Sequence, residues 1–405
     1  MAALINLRYF ILLGFLWGHT LGLINLSPND RDKLEEIWGN DWTFTGILTF
    51  AHLPYTKCLA DPEASYDIAI LGAPFDTATM YRTGARFGPR TIRSASLRQN
   101  KDRGFNFRAG LNPYSDWAKV IDCGDIPITP VDNELALHQM VAGYENVLSH
   151  KTNAKENEGN VPRIVMLGGD HSVLLSALRN LYKVYGPITV LQFDAHLDTW
   201  NPNTYPSFNR TSSPPFNHGS MLWMAHEEGI ISNDTNVHAG LRTRLGGVGW
   251  DDYEMDAKQG FSRIESDEIM DIGVQGIVDK IKKRIPKDAP VYISVDIDVL
   301  DPSNAPGTGA LEAGGWFTRE LIQMLRRLDH LNIVGAEVVE VNPLSDIPNA
   351  EITALAAAQI AFEIATSMVK KGPLKIKANK QTRKGDHSYF EWKKEFPMSG
   401  TQIVL

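Results

Sequence analysis

Cysteine is almost absent from this chain: Cys58 and Cys123 are the two among 405 residues. No thiolate therefore belongs to any block of potential metal ligands, and neither cysteine has a neighbouring histidine to activate it as a nucleophile. Cys123 closes the strand-like run Val120-Ile121-Asp122-Cys123-Gly124-Asp125. Two buried thiols are the favoured reading, and a disulfide stays open if the chain meets an oxidising compartment. A strong charge excess is missing too. The formal net charge is −8, and no basic stripe with interleaved aromatics occurs, so a nucleic-acid partner is excluded. That modest acidity is compatible with a cationic small substrate without arguing for one. No internal repeat is found, and no Pro- or Ser-rich linker splits residues 66–370. That stretch reads as one domain, long enough to bury a large core.

Long apolar runs are also scarce. Residues 9–17 are apolar but too short to cross a bilayer comfortably. They follow a single positive charge in residues 1–8 and precede small residues at 18–22. Residues 1–22 thus resemble a secretory signal peptide, which predicts the secretory pathway or extracellular space and no membrane association after cleavage. An uncleaved anchor or an amphipathic helix is the alternative. Three glycosylation sequons, at Asn25, Asn209 and Asn233, fit a secreted chain, though each arises easily by chance. Residues 23–65 read as an N-terminal extension, with helical spacing of Leu34, Ile37 and Trp38. Residues 371–405 form a Lys-rich tail, most simply a solvated one.

Between these ends strands and helices alternate. Strands are predicted at 67–73, 119–123, 163–167, 188–193, 237–241, 291–295 and 333–339. Helices are predicted at 134–149, 172–185, 273–285, 318–328 and 352–370. The alternation predicts a three-layer α/β/α fold with a mainly parallel central sheet. Residues 201–216, rich in Asn, Pro and Ser, read as a loop.

Six potential metal ligands fall at the ends of three predicted strands: Asp170-His171, Asp194-Ala195-His196-Leu197-Asp198 and Asp296-Ile297-Asp298. They are His171, Asp194, His196, Asp198, Asp296 and Asp298. Strand ends are where open α/β sheets bind ligands. On a regular strand, Asp194, His196 and Asp198 would share one side, as would Asp296 and Asp298. Carboxylates that close repel and cannot all ionise without a counter-charge. An oxygen-rich set with two imidazoles is too acidic for a lone zinc ion and suits Mn²⁺, with two ions sharing bridging carboxylates. A hydrogen-bonded carboxylate cluster is the structural alternative.

Three blocks, Gly168-Gly169-Asp170-His171-Ser172, Asp194-Ala195-His196-Leu197-Asp198-Thr199 and Ser294-Val295-Asp296-Ile297-Asp298-Val299-Leu300-Asp301-Pro302, resemble the signatures of the ureohydrolase family, the arginases, agmatinases and their relatives. The resemblance covers residues 66–370. It implies the arginase-like fold, two Mn²⁺ and hydrolysis of a small guanidino substrate to urea and an amine. One ion would take His171, Asp194, Asp198 and Asp296. The other would take Asp194, His196, Asp296 and Asp298, with Asp194 and Asp296 bridging. Asp198 would also orient the attacking water. His218 matches a proton shuttle at the site mouth, its alternative being a helix-start histidine. Glu340 matches the guanidinium-binding acid, its alternative a local salt bridge; Glu337 is a poorer match. A homo-oligomer, trimer or hexamer, is implied by resemblance alone.

Gly72-Ala73-Pro74-Phe75-Asp76, Tyr81-Arg82-Thr83-Gly84-Ala85-Arg86-Phe87-Gly88-Pro89-Arg90 and Ala305-Pro306-Gly307-Thr308-Gly309 are similar to the agmatinase branch. The implied reaction is agmatine to putrescine plus urea. Two departures touch the substrate. Ala310-Leu311-Glu312 replaces the usual Thr-Pro-Glu, and the loop 199–217 is long. Guanidinobutyrate, ending in a carboxylate, would need a distal cation, for which Arg210 is a candidate. Arginine would need both ends recognised. A non-catalytic binding protein is opposed by the complete ligand set, and a zinc deacetylase by the number of carboxylates.

Overall fold

The computed structural model describes residues 31–39, 41–202, 216–246 and 248–374, with the side chains of 36 and 37 left aside. The proposed signal segment, Asn25, Asn209, Arg210 and the tail beyond 374 lie outside those residues. Up to Gly46 the chain forms a separate N-terminal unit, which holds helix α1, Arg31–Trp38. The second unit begins at Ile47. It takes in part of the sequence read as an extension, since Phe50, Ala51 and Leu53 are buried in its core.

In this unit an eight-stranded sheet runs β2-β1-β3-β8-β7-β4-β5-β6, parallel throughout. Its strands are β1 Ile68–Ala73, β2 Val120–Asp125, β3 Arg163–Gly168, β4 Thr189–Phe193, β5 Asn236–Leu241, β6 Phe261–Glu265, β7 Pro290–Asp296 and β8 Asn332–Val339. The strand interiors are buried on both faces, and period-two alternation sorts them into two cores. Val165, Leu167, Val291, Ile293, Val295, Ala336 and Val338 join one core, with helices α2 Gly88–Ser96, α7 Glu268–Arg284, α8 Thr318–Arg327 and α9 Ile352–Lys371. Ile164, Met166, Val190, Tyr292 and Val334 join the other, with α3 Asn133–Leu148, α4 Leu174–Tyr185 and α5 Met221–Glu227. A sheet between two helical layers is the three-layer architecture predicted. Among the described residues α9 is long and apolar enough to cross a membrane, but it is mostly buried in the core.

Sequence and structure differ at several elements. Strand β6 and helices α5 and α6 (Asp251–Lys258) are not among the predicted elements. Within α7 the chain breaks at Gly273 (φ +63), where the helix is predicted to start, and a short helical turn from Glu268 precedes that break. The two cysteines are not free thiols: Cys58 and Cys123 form a disulfide, with Cα atoms 5.2 Å apart. Thr56 N–H donates to the Asp122 carbonyl, so the segment bearing Cys58 lies along β2 and brings the sulfurs together.

Candidate active site

The site lies on the C-terminal ends of the four central strands. β3 leads to Asp170-His171, β4 to Asp194–Asp198, β7 to Asp296–Asp298 and β8 to Glu340. All six potential ligands come together there. The convergence does not use strand alternation. β4 stops at Phe193, and Asp198 sits in the left-handed region at φ +55. Asp296 ends β7, and Asp298 lies in a 3₁₀ turn. Backbone amides set the carboxylates: His196 N–H donates to Asp194 Oδ1 (2.6 Å), Ala195 N–H to Asp298 Oδ1 (3.2 Å) and Asp298 N–H to Asp296 Oδ1 (2.9 Å). A left-handed aspartate costs on the order of 1 kcal/mol and persists where its surroundings over-determine it.

Two groups of potential ligands result. His171 Nδ1 lies 3.0 Å from Asp194 Oδ2, 3.0 Å from Asp198 Oδ2 and 3.3 Å from Asp296 Oδ2. His196 Nδ1 lies 3.0 Å from Asp298 Oδ2 and 3.5 Å from Asp194 Oδ1. Asp194 thus offers one oxygen to each group, as a bridging carboxylate must. Asp296 is placed beside His171, and no contact ties it to His196.

The state of His171 tests whether this set fits a metal. Ser294 Oγ donates to Glu337 Oε1 (2.7 Å), and Tyr292 O–H donates to Glu337 Oε2 (3.0 Å). With its proton committed, Ser294 accepts from His171 Nε2–H (2.7 Å). That assigns the tautomer from the network and leaves a lone pair on Nδ1. This buried atom has no hydrogen-bond partner, although three carboxylate oxygens face it. A lone pair ringed by carboxylates is repulsive unless a proton or a metal cation sits among them. The donor set therefore fits divalent cations.

The electrostatics show the same shortage of positive charge, which protons on the two imidazoles meet in part in metal-free protein. Burial pushes the Asp296 carboxyl well above its ordinary range, and Asp298 and Asp194 push it further. Burial also raises Asp198, with Asp194 adding to it, and Asp298. Asp194 alone is lowered: burial opposes ionisation, but bonds from His171 and His196 win. The two imidazoles go the other way. Burial resists their charging, yet the surrounding aspartates carry both well above the ordinary histidine value. Four carboxylates share too little positive charge.

Glu340 is also left-handed, at φ +60. Its Oε1 accepts from His171 N–H (2.9 Å) and from His218 Nδ1 (3.1 Å), so Oε2 is the oxygen turned to the cleft. A Cβ on Gly309 would come within 3.8 Å of that oxygen. Met80 N–H donates to His218 Nε2 (3.0 Å). In this conformation the ring is held at both nitrogens, with its proton on Nδ1. Burial opposes charging of His218, but Glu340 lifts its pKa to about 9.

Some supporting residues escaped the sequence reading. Asp170 is buried, takes Ala78 N–H on Oδ2 (3.0 Å) and is pushed up to about 7 by burial and by Glu340. Ser294 lay inside a quoted block, but its partner Glu337 faces it across β7 and β8, which only strand register reveals. Gly169 has a strict packing reason, since a Cβ there would meet the Phe75 carbonyl at 1.7 Å.

The match to known proteins decides the family. The model of the arginase family matches residues 66–366. This chain belongs to the arginase family. Among arginase-family relatives, an agmatinase-named protein of Schizosaccharomyces pombe is 47% identical over 85% of this chain and 87% of its own length. The agmatinase of Chromobacterium violaceum is 36% identical over 81% of this chain and 91% of its own. The solved structure of proclavaminate amidino hydrolase from Streptomyces clavuligerus aligns at a TM-score of 0.69 and 33% identity. It covers 82% of this chain and all of that one. The family assignment agrees with the fold and with the order of the three blocks along the chain.

Proposed function

We propose that this chain is a binuclear manganese ureohydrolase that converts agmatine to putrescine and urea. The observation that carries the reading is the orphaned His171 Nδ1 among three carboxylates, in a chain whose relatives include named agmatinases. His171, Asp194, Asp198 and Asp296 would hold one ion, and Asp194, His196, Asp296 and Asp298 the other. Bound there, two Mn²⁺ supply Lewis acidity and a water acidified enough to attack near neutral pH.

The chain's own residues do the rest. Glu340 Oε2 accepts from the guanidinium, a charge-assisted bond that fixes the central carbon over the carboxylate cluster. Asp198, at the edge of the cluster, orients the attacking water. His218 delivers a proton to the leaving amine, which requires it to release Met80 N–H. Manganese over other divalent ions rests on the oxygen-rich donor set. Urea release from Mn²⁺-loaded protein, assayed in parallel with agmatine, 4-guanidinobutyrate and arginine, tests the reading. Turnover of agmatine above the others is expected; turnover of guanidinobutyrate alone would overturn the substrate and keep the chemistry.

We also propose a secretory route and a homo-oligomer. The Cys58–Cys123 bridge and the exposed sequon at Asn233 support the route. Mass loss on glycosidase treatment of protein expressed in a secreting host checks it. Sedimentation of the purified chain checks the oligomer, and a monomer would refute it.

A further inference from the structure

A candidate metal ligand needs a partner behind it as well as a cation in front. For His171 that partner is Ser294, backed by Glu337. Among the described residues no such serine stands behind His196. Its outer nitrogen, Nε2, instead faces Glu312 Oε1 at 3.7 Å. Glu312 lies in Ala310-Leu311-Glu312, the stretch where this chain departs from the family pattern while keeping the acid. Ala310 and Leu311 before it have no polar side-chain atom to fix its position, so the fixing comes from elsewhere.

Arg242, which follows the last residue of β5, supplies it. Its guanidinium donates to the Glu312 carbonyl from Nη2 (2.9 Å) and Nε (3.2 Å). Nη2 also reaches the carbonyls of Asp298 (2.6 Å) and Leu300 (3.2 Å), and Nη1 those of Gly240 (3.1 Å) and Val299 (3.3 Å). The Arg242 backbone N–H donates to the Ala195 carbonyl, between two candidate ligands (3.1 Å). One side chain therefore ties the end of β5, the Asp298 turn and the Glu312 loop together. Gly315 lets it pass, since a Cβ there would meet Nη2 at 2.6 Å. A guanidinium whose donors all go to carbonyls of one loop cluster acts as a clamp. Among the described residues it forms no ion pair with a side chain at hydrogen-bond distance, which leaves the Glu312 carboxylate for His196.

We propose that Glu312, clamped by Arg242, is a positioning residue that orients His196 through Nε2–H and so sets the strength of the metal group built on Asp194, His196 and Asp298. This rests on the metal-centre reading above. A carboxylate behind an imidazole fixes the ring, keeps the proton on the outer nitrogen and makes the inner one a better donor. The two groups thus differ in their support: a buried neutral hydroxyl behind His171, a half-buried carboxylate behind His196.

The test is a manganese titration of metal-stripped full-length protein, with bound metal counted after dialysis. Glu312→Gln and Arg242→Lys are compared with the unaltered chain, and thermal melts of each confirm folding. Glu312 is partly exposed at the surface, so its amide variant is expected to fold. The unaltered chain is expected to hold two Mn²⁺. Glu312→Gln should weaken one of them about 10- to 100-fold and leave the other unchanged, with kcat largely restored at saturating Mn²⁺ and little change in KM for agmatine. Arg242→Lys should weaken the same ion by less. Unchanged manganese affinity in Glu312→Gln would overturn the proposal while the metal-centre reading stands. A raised KM with unchanged metal affinity would make Glu312 a substrate-binding residue and overturn it equally. Failure of the unaltered chain to bind metal would instead refute the metal-centre reading itself.

Discussion

Two groups of carboxylates lie on the same sheet, one built around the buried Asp122 with the exposed Asp125, and they are neutralised in opposite ways. On β2, Asp122 in mid-strand and Asp125 at its end share Arg93. Its Nε donates to Asp122 Oδ2 (2.8 Å), Nη2 to Asp122 Oδ1 (3.0 Å) and Nη1 to Asp125 Oδ1 (2.6 Å). Burial works against the Arg93 charge, but the two aspartates raise its pKa regardless. At the ends of β3, β4 and β7, four aspartates meet, and among the described residues no arginine or lysine is bonded to their carboxylates, only two imidazoles. The first cluster is closed by the chain's own cation and serves structure. The second is left short of positive charge, and that shortage is what makes it a binding site for cations from outside. Acidity alone separates the two poorly; the presence of a resident partner separates them well.

Removing one carboxylate from each cluster should have opposite effects. Asp296→Asn relieves repulsion, so the metal-free protein should melt a few degrees higher. The same change should cut urea release by about a thousandfold or more, because the chemistry that needs the ions is lost. Asp122→Asn leaves Arg93 buried with a weakened partner and should cost about 3–5 kcal/mol, with or without metal. Denaturant unfolding of both variants, stripped and loaded, reads this directly. Equal destabilisation of the stripped forms would erase the distinction.

Next in size is the bridge beside the closed cluster. It joins residues 65 apart, and constraint of the unfolded chain over such a loop is worth about 4 kcal/mol. Cys58→Ala with Cys123→Ala should therefore lower stability by about 2–4 kcal/mol and leave metal content untouched. Within the open cluster, Glu340→Gln keeps an oxygen for His171 N–H but loses the charge facing the substrate. Hydrogen bonds to charged groups are worth about 1.5–3 kcal/mol, so kcat/KM should fall roughly 10- to 100-fold, with manganese affinity retained. Loss of metal in that variant would move Glu340 from substrate to metal support.

The smallest effect is a pH trend. His218 has a folded pKa of about 9, above its ordinary 6.5. Its bond to Glu340 then adds stability that is complete below pH 6.5 and fades as pH rises through 9. In metal-free protein the stability deficit of His218→Asn should be larger at pH 6 than at pH 10. A deficit independent of pH would show that the Met80 amide keeps the ring neutral throughout.

Most of the architecture was readable because parallel strands buried on both faces leave continuous apolar runs, as in Ile164-Val165-Met166-Leu167. Strand β6 was missed because Phe261-Ser262-Arg263-Ile264-Glu265 sits at the sheet edge, and three of its five residues are only partly buried. Helix α6 was missed because Asp251 to Lys258 is acidic and carries little apolar periodicity. The six candidate ligands stood out by residue type and spacing. Their means of convergence did not, since nothing in the identity of Asp198 or Glu340 announces a left-handed backbone. Nor could Glu337 behind Ser294, or Glu312 behind His196, be paired without strand register and loop closure. The disulfide was hidden for the same reason, because Cys58 approaches β2 through a segment with no strand pattern of its own.

The most direct test of the central claim is a count of bound manganese as a function of added Mn²⁺, with urea release from agmatine followed in the same samples. The account predicts two ions per chain, turnover that rises with their binding, and a melting temperature that climbs as the carboxylate cluster is neutralised. A folded, soluble protein that binds no more than one ion, or whose melting temperature ignores manganese, would contradict it.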